Sequence, residues 1–128
     1  GEVVIGGIKF IIHQTADAFD IEIPEINAVY THMLGHDCHS IVAGAAHADA
    51  IIAQLKGYID RDFGLILTSH YTPEDLKDAQ TKIDYLEELK YIAAKCRNSA
   101  EFKAEINRLY PEYSGGNYLD MTAGFFFA

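Results

Sequence analysis

A short stretch early in the chain holds most of the side chains that could bind a metal ion. The segment YTHMLGHDCHSI, residues 30–41, contains three of the six histidines in the sequence, together with an aspartate and a cysteine. The candidate ligands are His32, His36, Asp37, Cys38 and His39. Imidazole, carboxylate and thiolate groups are the ligands that Zn²⁺ prefers in proteins. The segment is therefore the first place to look for a metal site.

The spacing of these histidines supports two interpretations. In the first, residues 32–39 are helical, and His32, His36 and His39 lie on one face, at positions i, i+4 and i+7, where they can bind Zn²⁺ or Ni²⁺. Gly35 weakens such a helix. In the second interpretation, His36 and His39 are polar residues that pack at the base of a cleft or pair with acids. Cys38 is a poor candidate nucleophile, because neighbours this close in sequence rarely face each other in the geometry that activation requires.

The elements that position this segment begin with strands. The runs IKFIIH (8–13), AFDIEIP (18–24) and AVYT (28–31) are rich in β-branched and aromatic residues, and Pro24 marks a hairpin between the last two. Apolar and acidic residues alternate along 18–24, as in a strand buried on one side. We therefore expect Asp20 and Glu22 to face solvent, opposite the apolar side chains of the strand.

The period changes after the histidine segment. Apolar residues recur at helical spacing over 45–59, a nearly continuous apolar run at 62–70 predicts a buried strand, and 72–96 has the pattern of a long amphipathic helix. Thr72 is the predicted N-cap of that helix, with Pro73 at its first position. A helix follows in AEFKAEINRLY and a short one closes the chain. A strand–helix–strand order implies parallel pairing, hence an α/β domain spanning residues 1–128.

Composition limits the classes of partner. The chain has 128 residues, 49% hydrophobic and 23% charged, with a formal charge of −9. An acidic surface repels nucleic acid and anionic membranes, so neither is an expected partner. No apolar stretch is as long as a membrane-spanning helix needs to be. The start, GEVVIGG, lacks the basic region of a signal peptide. A cytoplasmic location is the default expectation, although a signal on a longer precursor would not be visible in this sequence.

Three short motifs, in this order of elements, resemble the second half of a metallo-β-lactamase-fold hydrolase. They are EIPEINAVYTH at 22–32, HDCH at 36–39 and LILTSHYTP at 65–73. In the alkylsulfatase-like branch of that superfamily, a His-x-x-His motif precedes a segment similar to AGAAHADAIIAQL (43–55), and a later strand ends in a motif similar to TSHYTP (68–73). The resemblance covers nearly the whole chain.

The resemblance implies a zinc-dependent hydrolase of an ester, a lactone, a sulfate ester or a similar bond. It implies metal ligands at three strand ends, His70, His13 and His32, with His36 and His39 as weaker candidates. Two departures matter. His32, or Thr31 if the register shifts by one, occupies the position where the superfamily carries a carboxylate that bridges two metal ions. Ala45 and Ala46 occupy positions where the sulfatase branch carries basic residues, which weakens the expectation of an anionic substrate.

The superfamily's first ligand motif, His-x-His-x-Asp-His, is absent from these residues. The resemblance therefore implies half of an αββα sandwich, with a mixed sheet of four or five strands covered by helices on one face. We expect the missing N-terminal half, or a second copy of the chain, as partner. The isolated chain should be catalytically silent. The alternative is a non-catalytic half-fold that dimerises and keeps a degenerate metal site.

Overall fold

The computed structural model describes residues 1–15, 17–33, 35–69 and 71–128. Within them, five strands form one sheet in the order β1-β2-β3-β4-β5, and four helices complete the chain. The strands are β1 (Glu2–Ile5), β2 (Ile8–Gln14), β3 (Phe19–Ile23), β4 (Ala28–Thr31) and β5 (Leu65–Thr68), and the helices are α1 (Ala45–Asp60), α2 (Leu76–Lys95), α3 (Ser99–Leu109) and α4 (Gly116–Phe126). This confirms the predicted α/β class and the mixed sheet.

Strand pairing follows the chain order. Each of the first three pairs is antiparallel, and β4 pairs with β5 in parallel, as the intervening helix α1 predicts. Strand β1 was not predicted. Gly6 and Gly7, with φ values of 60° and 82°, form a tight turn that returns the chain from β1 into β2. The first two strands therefore form a β-hairpin with these glycines at its turn.

The assignment of the two faces of β3 was wrong. Asp20 and Glu22 are buried, with 6% and 5% of their surface exposed, whereas Phe19 is 48% exposed. Gln54 of α1 donates to both carboxylate oxygens of Asp20, at 3.0 and 3.2 Å, and the Tyr58 hydroxyl also donates to this carboxylate. The acidic face of β3 lies under α1 because that helix supplies polar partners, which a pattern of apolar residues cannot reveal.

The opposite face of the sheet is apolar and lies largely open to solvent in the described part of the chain. The pairing register places on this face alternate residues of every strand. We call it the bare apolar face and define it by Val3, Ile5, Ile8, Ile12, Phe19 and Ile21. Five of these six side chains are at least 37% exposed. One face covered by helices and one left bare is the expected form of half an αββα sandwich.

Helices α1 and α2 pack on each other and on the face of the sheet opposite the bare apolar face. Helices α3 and α4 extend this layer. The core includes Val29 and Ile66 from the two parallel strands and Leu86 and Leu89 from α2. Helix α2 begins later than predicted. Its N-cap is Asp75, which forms a reciprocal capping box with Asp78. None of the described helices combines the length and hydropathy of a membrane-spanning segment.

Candidate functional site

The predicted site lies at one edge of the sheet. The carboxyl ends of β4 and β5 meet there because these strands are parallel, and β2 ends at the same edge because it is two antiparallel steps from β4. His32 follows β4, and its Nδ1 lies 3.0 Å from the Ser69 Oγ that follows β5. The Tyr30 hydroxyl lies 2.5 Å from the same Oγ. Residues 32 and 69 are thus held side by side.

The structure gives different information on each of the three predicted strand-end ligands. His70 lies outside the described residues. His13, on β2, is half exposed, and its Nε2 lies 3.2 Å from Glu22 Oε1. A bidentate pair with Arg61, at 2.5 and 2.8 Å, holds the pKa of Glu22 below its usual range. Within the described ranges, neither His13 nor His32 joins two other possible ligands at metal-binding distances. The proposed set of His13, His32 and His70 therefore stays a prediction.

The group of possible ligands that the described residues do bring together is a different one, which we call the acidic triad: His36, Glu74 and Asp78. Nδ1 of His36 lies 2.5 Å from Glu74 Oε2 and 3.4 Å from Asp78 Oδ1. The backbone N–H of His36 also donates to Glu74 Oε2, at 2.9 Å. Burial by itself lowers the pKa of His36, but the hydrogen bond with Glu74 and the neighbouring negative charges together raise it.

Two local features place the acidic triad at the sheet edge. Residues 36 and 37 form a turn after β4, and residues 35–39 contain no helix, so His32, His36 and His39 do not share a helical face. Glu74 exchanges two backbone hydrogen bonds with Ile66 of β5, at 2.8 and 2.9 Å, before α2 begins. The sequence predicted Glu74 only as part of the first helical turn. The signal that was missed is an acid that follows a strand end closely, in SHYTPED.

The donors of the acidic triad fit the zinc that the resemblance implies. One imidazole nitrogen and two carboxylate oxygens are zinc-type ligands, and three protein ligands leave the fourth position open, as in catalytic sites. A cavity of about 20 Å³ adjoins them, lined by Glu74, Asp78, Thr68 and Lys82 among others. Within the described chain, Thr68 Oγ1 is the buried side-chain oxygen without a hydrogen-bond partner. This hydroxyl belongs to a residue that lines the same cavity as Glu74 and Asp78.

His39, one of the two weaker predicted ligands, is in the core. It is 1% exposed, and its Nδ1 lies 2.8 Å from the hydroxyl of Tyr85 on α2. The ring of Tyr113 packs beside it, with centroids 5.6 Å apart. Burial, and then the charge of Lys82, lower the pKa of His39. A neutral, hydrogen-bonded core histidine agrees with the second interpretation of the segment.

A larger cavity of about 310 Å³ opens beside His32. Apolar side chains make up much of its wall, including Met33, Ile41 and Ile51. Its polar lining includes Ser40, Lys82 and a hydrogen bond from His47 Nε2 to Asp17 Oδ1 at 2.7 Å, while His47 Nδ1 accepts from the backbone N–H of Ala43. Lys82 was not singled out from the sequence, where it lies within the amphipathic pattern of α2.

Comparison with known proteins identifies the architecture. No protein-family model matches the chain, and neither does any curated protein. Among solved structures, a stereoselective inverting sec-alkylsulfatase from Pseudomonas sp. is 18% identical, with a TM-score of 0.64 over 98% of this chain and 25% of its own. A double mutant of that sulfatase gives a TM-score of 0.55 at 17% identity, over 96% of this chain and 24% of its own.

A metallo-β-lactamase from Pontibacter korlensis is also similar, with 17% identity and a TM-score of 0.51 over 68% of this chain and 45% of its own. The chain thus spans a quarter to less than half of the length of these three structures. At such identities the likeness establishes the fold. The chain has the fold of one half of a metallo-β-lactamase αββα sandwich.

Proposed function

We propose that this chain is the C-terminal portion of a metal-dependent hydrolase of the metallo-β-lactamase superfamily. Its substrate would carry an ester, lactone or sulfate-ester bond. The observation that carries the proposal is the acidic triad, because it gathers one histidine and two carboxylates at the edge of the sheet where β4 and β5 end. The superfamily's remaining ligands, in the motif His-x-His-x-Asp-His, would come from the other half of the sandwich.

The residues of this chain would have distinct roles in such a site. A bound zinc would supply an activated water molecule and polarise the bond to be broken. His36, Glu74 and Asp78 would hold the metal, with the strand-end set of His13, His32 and His70 as the ligands that the resemblance predicts. Ser69 would orient His32 through the 3.0 Å contact between Oγ and Nδ1, as residues that hydrogen-bond a ligand's second ring nitrogen do.

Metal content tests the proposal. The chain, purified without an affinity metal and dialysed against zinc, should hold about one zinc ion per chain when measured by inductively coupled plasma mass spectrometry. Asp78→Asn should lower zinc affinity at least about tenfold if the acidic triad binds the metal. Asp84→Asn, on the exposed side of the same helix, is the matched control and should leave the affinity unchanged.

His70→Ala separates the two ligand sets. Loss of zinc in this variant alone would assign the metal to the strand-end histidines, and loss in Asp78→Asn alone would assign it to the acidic triad. A chain that binds no zinc, or whose zinc is unaffected by both variants, would contradict the proposed metal site. Hydrolysis is best measured on a longer natural chain that includes a His-x-His-x-Asp-His motif, because the isolated chain should be silent.

The bare apolar face favours a second candidate function. A chain with this surface and an incomplete ligand set could act as a non-catalytic module that pairs with a second copy of itself. The two candidates differ in the natural gene product. A His-x-His-x-Asp-His motif upstream of Gly1 would favour the hydrolase, whereas a natural chain without it would favour the dimeric module.

A further inference from the structure

The cavity beside His32 contains a buried cation that has no ion-pair partner among the described residues. Lys82 is 4% exposed, and its Nζ donates to the carbonyl oxygen of Cys38 at 2.7 Å and to Ser40 Oγ at 2.8 Å. An ammonium group has three N–H donors, so these two contacts leave one donor for a ligand. Charged side chains are rarely buried unless they are paired. A bound anion at this position would therefore be favourable.

The carboxylates near Lys82 have other partners. Asp78, which lines the small cavity together with Lys82, accepts from the backbone N–H of Asp75. Glu74 accepts both contacts from His36, and Asp37 accepts the hydroxyl of Tyr71. The carboxylate in the wall of the larger cavity, Asp17, accepts a hydrogen bond from Nε2 of His47. Besides its two hydrogen bonds, the ammonium of Lys82 contacts only the face of the Tyr85 ring among the described residues, with Nζ 5.2 Å from the ring centroid. An anion that enters the cavity would meet this ammonium, and its apolar part would meet the apolar wall.

We propose that this cavity binds a small organic acid, an apolar body with one carboxylate, which pairs with the ammonium of Lys82. The volume of about 310 Å³ lies at the lower end of the range of known ligand pockets, about 300 to 1,000 Å³. Met33, Ile41 and Ile51 would contact the apolar body. Lys82, on a helix distant in sequence, thus supplies a basic group that the segment around Ala45 and Ala46 lacks.

The donors at Lys82 match a carboxylate better than a sulfate ester. Ser40 Oγ accepts from Lys82 and keeps its own O–H to donate, so the cavity offers one N–H and one O–H at this point. Two donors satisfy the two oxygens of a carboxylate. A sulfate ester has three terminal oxygens, and a buried oxygen left without a donor costs about 1 to 3 kcal/mol. This inference depends on the proposed function at one point: it takes the acid to be the substrate or the product of the hydrolysis.

Calorimetric titration of the 128-residue chain with octanoate tests the inference. EDTA is present throughout, so that no metal ion can hold the carboxylate. We expect one binding site, weakened at least about tenfold in Lys82→Met, which keeps the length of the side chain but not its charge. Lys77→Met, on the exposed side of α2, is the matched control and should bind as the wild type does. Octan-1-ol should bind more weakly than octanoate and equally to wild type and Lys82→Met.

Several outcomes would overturn the inference. They are absence of octanoate binding, unchanged affinity in Lys82→Met, and tighter binding of octyl sulfate than of octanoate. If Lys82→Met does not fold, amide chemical shifts of the wild-type chain decide. Octanoate should then perturb Ser40, Ile41 and Ile51, and perturbations confined to other regions would contradict the site. Because EDTA removes zinc, a failure here is separate from a failure of the metal experiment.

Discussion

The burial of Lys82 in the described chain is electrostatically unfavourable. Burial disfavours its charged form and lowers its pKa to about 8, against the opposing influence of Cys38, Glu74 and Asp37. Its hydrogen bonds to Cys38 and Ser40 offset part of this cost. A buried charge of this kind is retained when it serves a function, and the function that we infer for Lys82 is to bind an acid.

This cost predicts how stability depends on pH. Between about pH 8 and the pKa of an exposed lysine near 10.5, the unfolded chain holds a proton on Lys82 that the folded chain has released, so the free energy of unfolding rises with pH. One pKa unit corresponds to about 1.4 kcal/mol, so the gain is about 3 kcal/mol. The measurement is urea unfolding at about pH 7 and about pH 10 in wild type and Lys82→Met.

Taking the difference between the two proteins removes the contribution of the tyrosines, which also titrate in alkaline solution. The stability of wild type relative to Lys82→Met should increase by that amount over the interval. Lys77→Met, on the exposed side of the same helix, should show no such change relative to wild type. A constant difference between wild type and Lys82→Met would mean that Lys82 keeps its ordinary pKa in the folded chain.

The residues of the site show which features the sequence patterns could not predict. The cluster at 30–41 was predicted as the first place to look for a metal site, and it contributes His36 to the acidic triad. The acidic partners of His36 come from positions 38 and 42 residues further along the chain. Asp20 and Glu22 were placed in solvent because alternation shows only that two faces differ. Which face is covered depends on Gln54, Tyr58 and Arg61, whose contacts become visible only when α1 is packed on the sheet.

At the scale of elements, the period of apolar residues was sufficient for most of the fold. It predicted three of the four antiparallel strands and the parallel strand β5, together with helices close to the observed α1 and α2. The start of α2 differs for a local reason. The Thr72–Pro73 signal is a good helix start, but Glu74 is held in a β-bridge with Ile66, which delays the helix until Asp75. A tertiary contact overrode a capping preference.

The capping box makes this difference measurable. Asp75 accepts from the backbone N–H of Asp78 at 3.0 Å, so Asp75→Ala should lower the free energy of unfolding by about 1 kcal/mol. Thr72→Ala should change it by less than about 0.5 kcal/mol, as for an ordinary surface substitution. Chemical denaturation of both variants checks the pair. A larger loss in Thr72→Ala than in Asp75→Ala would place the N-cap where the sequence predicted it.

At the scale of the whole molecule, the sheet is covered on one side only. Apolar patches of this extent on a single chain mark an interface with another protein surface. The resemblance predicted such a face, because the other half of an αββα sandwich packs there. The sequence could not predict which surface covers this face, because another part of a longer protein and a second copy of the chain would both bury the same apolar side chains.

The isolated chain should therefore associate with itself through the bare apolar face. A stable interface buries about 1,200 to 2,000 Å², and sedimentation velocity at micromolar concentration would detect the resulting dimer. Ile5→Lys, or Ile12→Lys nearer the centre of the face, should shift the chain to monomer, because burying a lysine in the interface is unfavourable. Val4→Lys is the matched control, since Val4 and Ile5 are both 65% exposed but point to opposite sides of β1.

The same substitutions identify the natural occupant. In a longer chain that contains the other half of the sandwich, Ile12→Lys should destabilise the protein by about 2 kcal/mol or more, because the lysine would be buried between two sheets. In a natural chain that pairs only with itself, it should shift the dimer equilibrium and leave the stability of the monomer almost unchanged. An isolated wild-type chain that stays monomeric would contradict self-pairing. A longer chain that Ile12→Lys does not destabilise would contradict packing of the other half on this face.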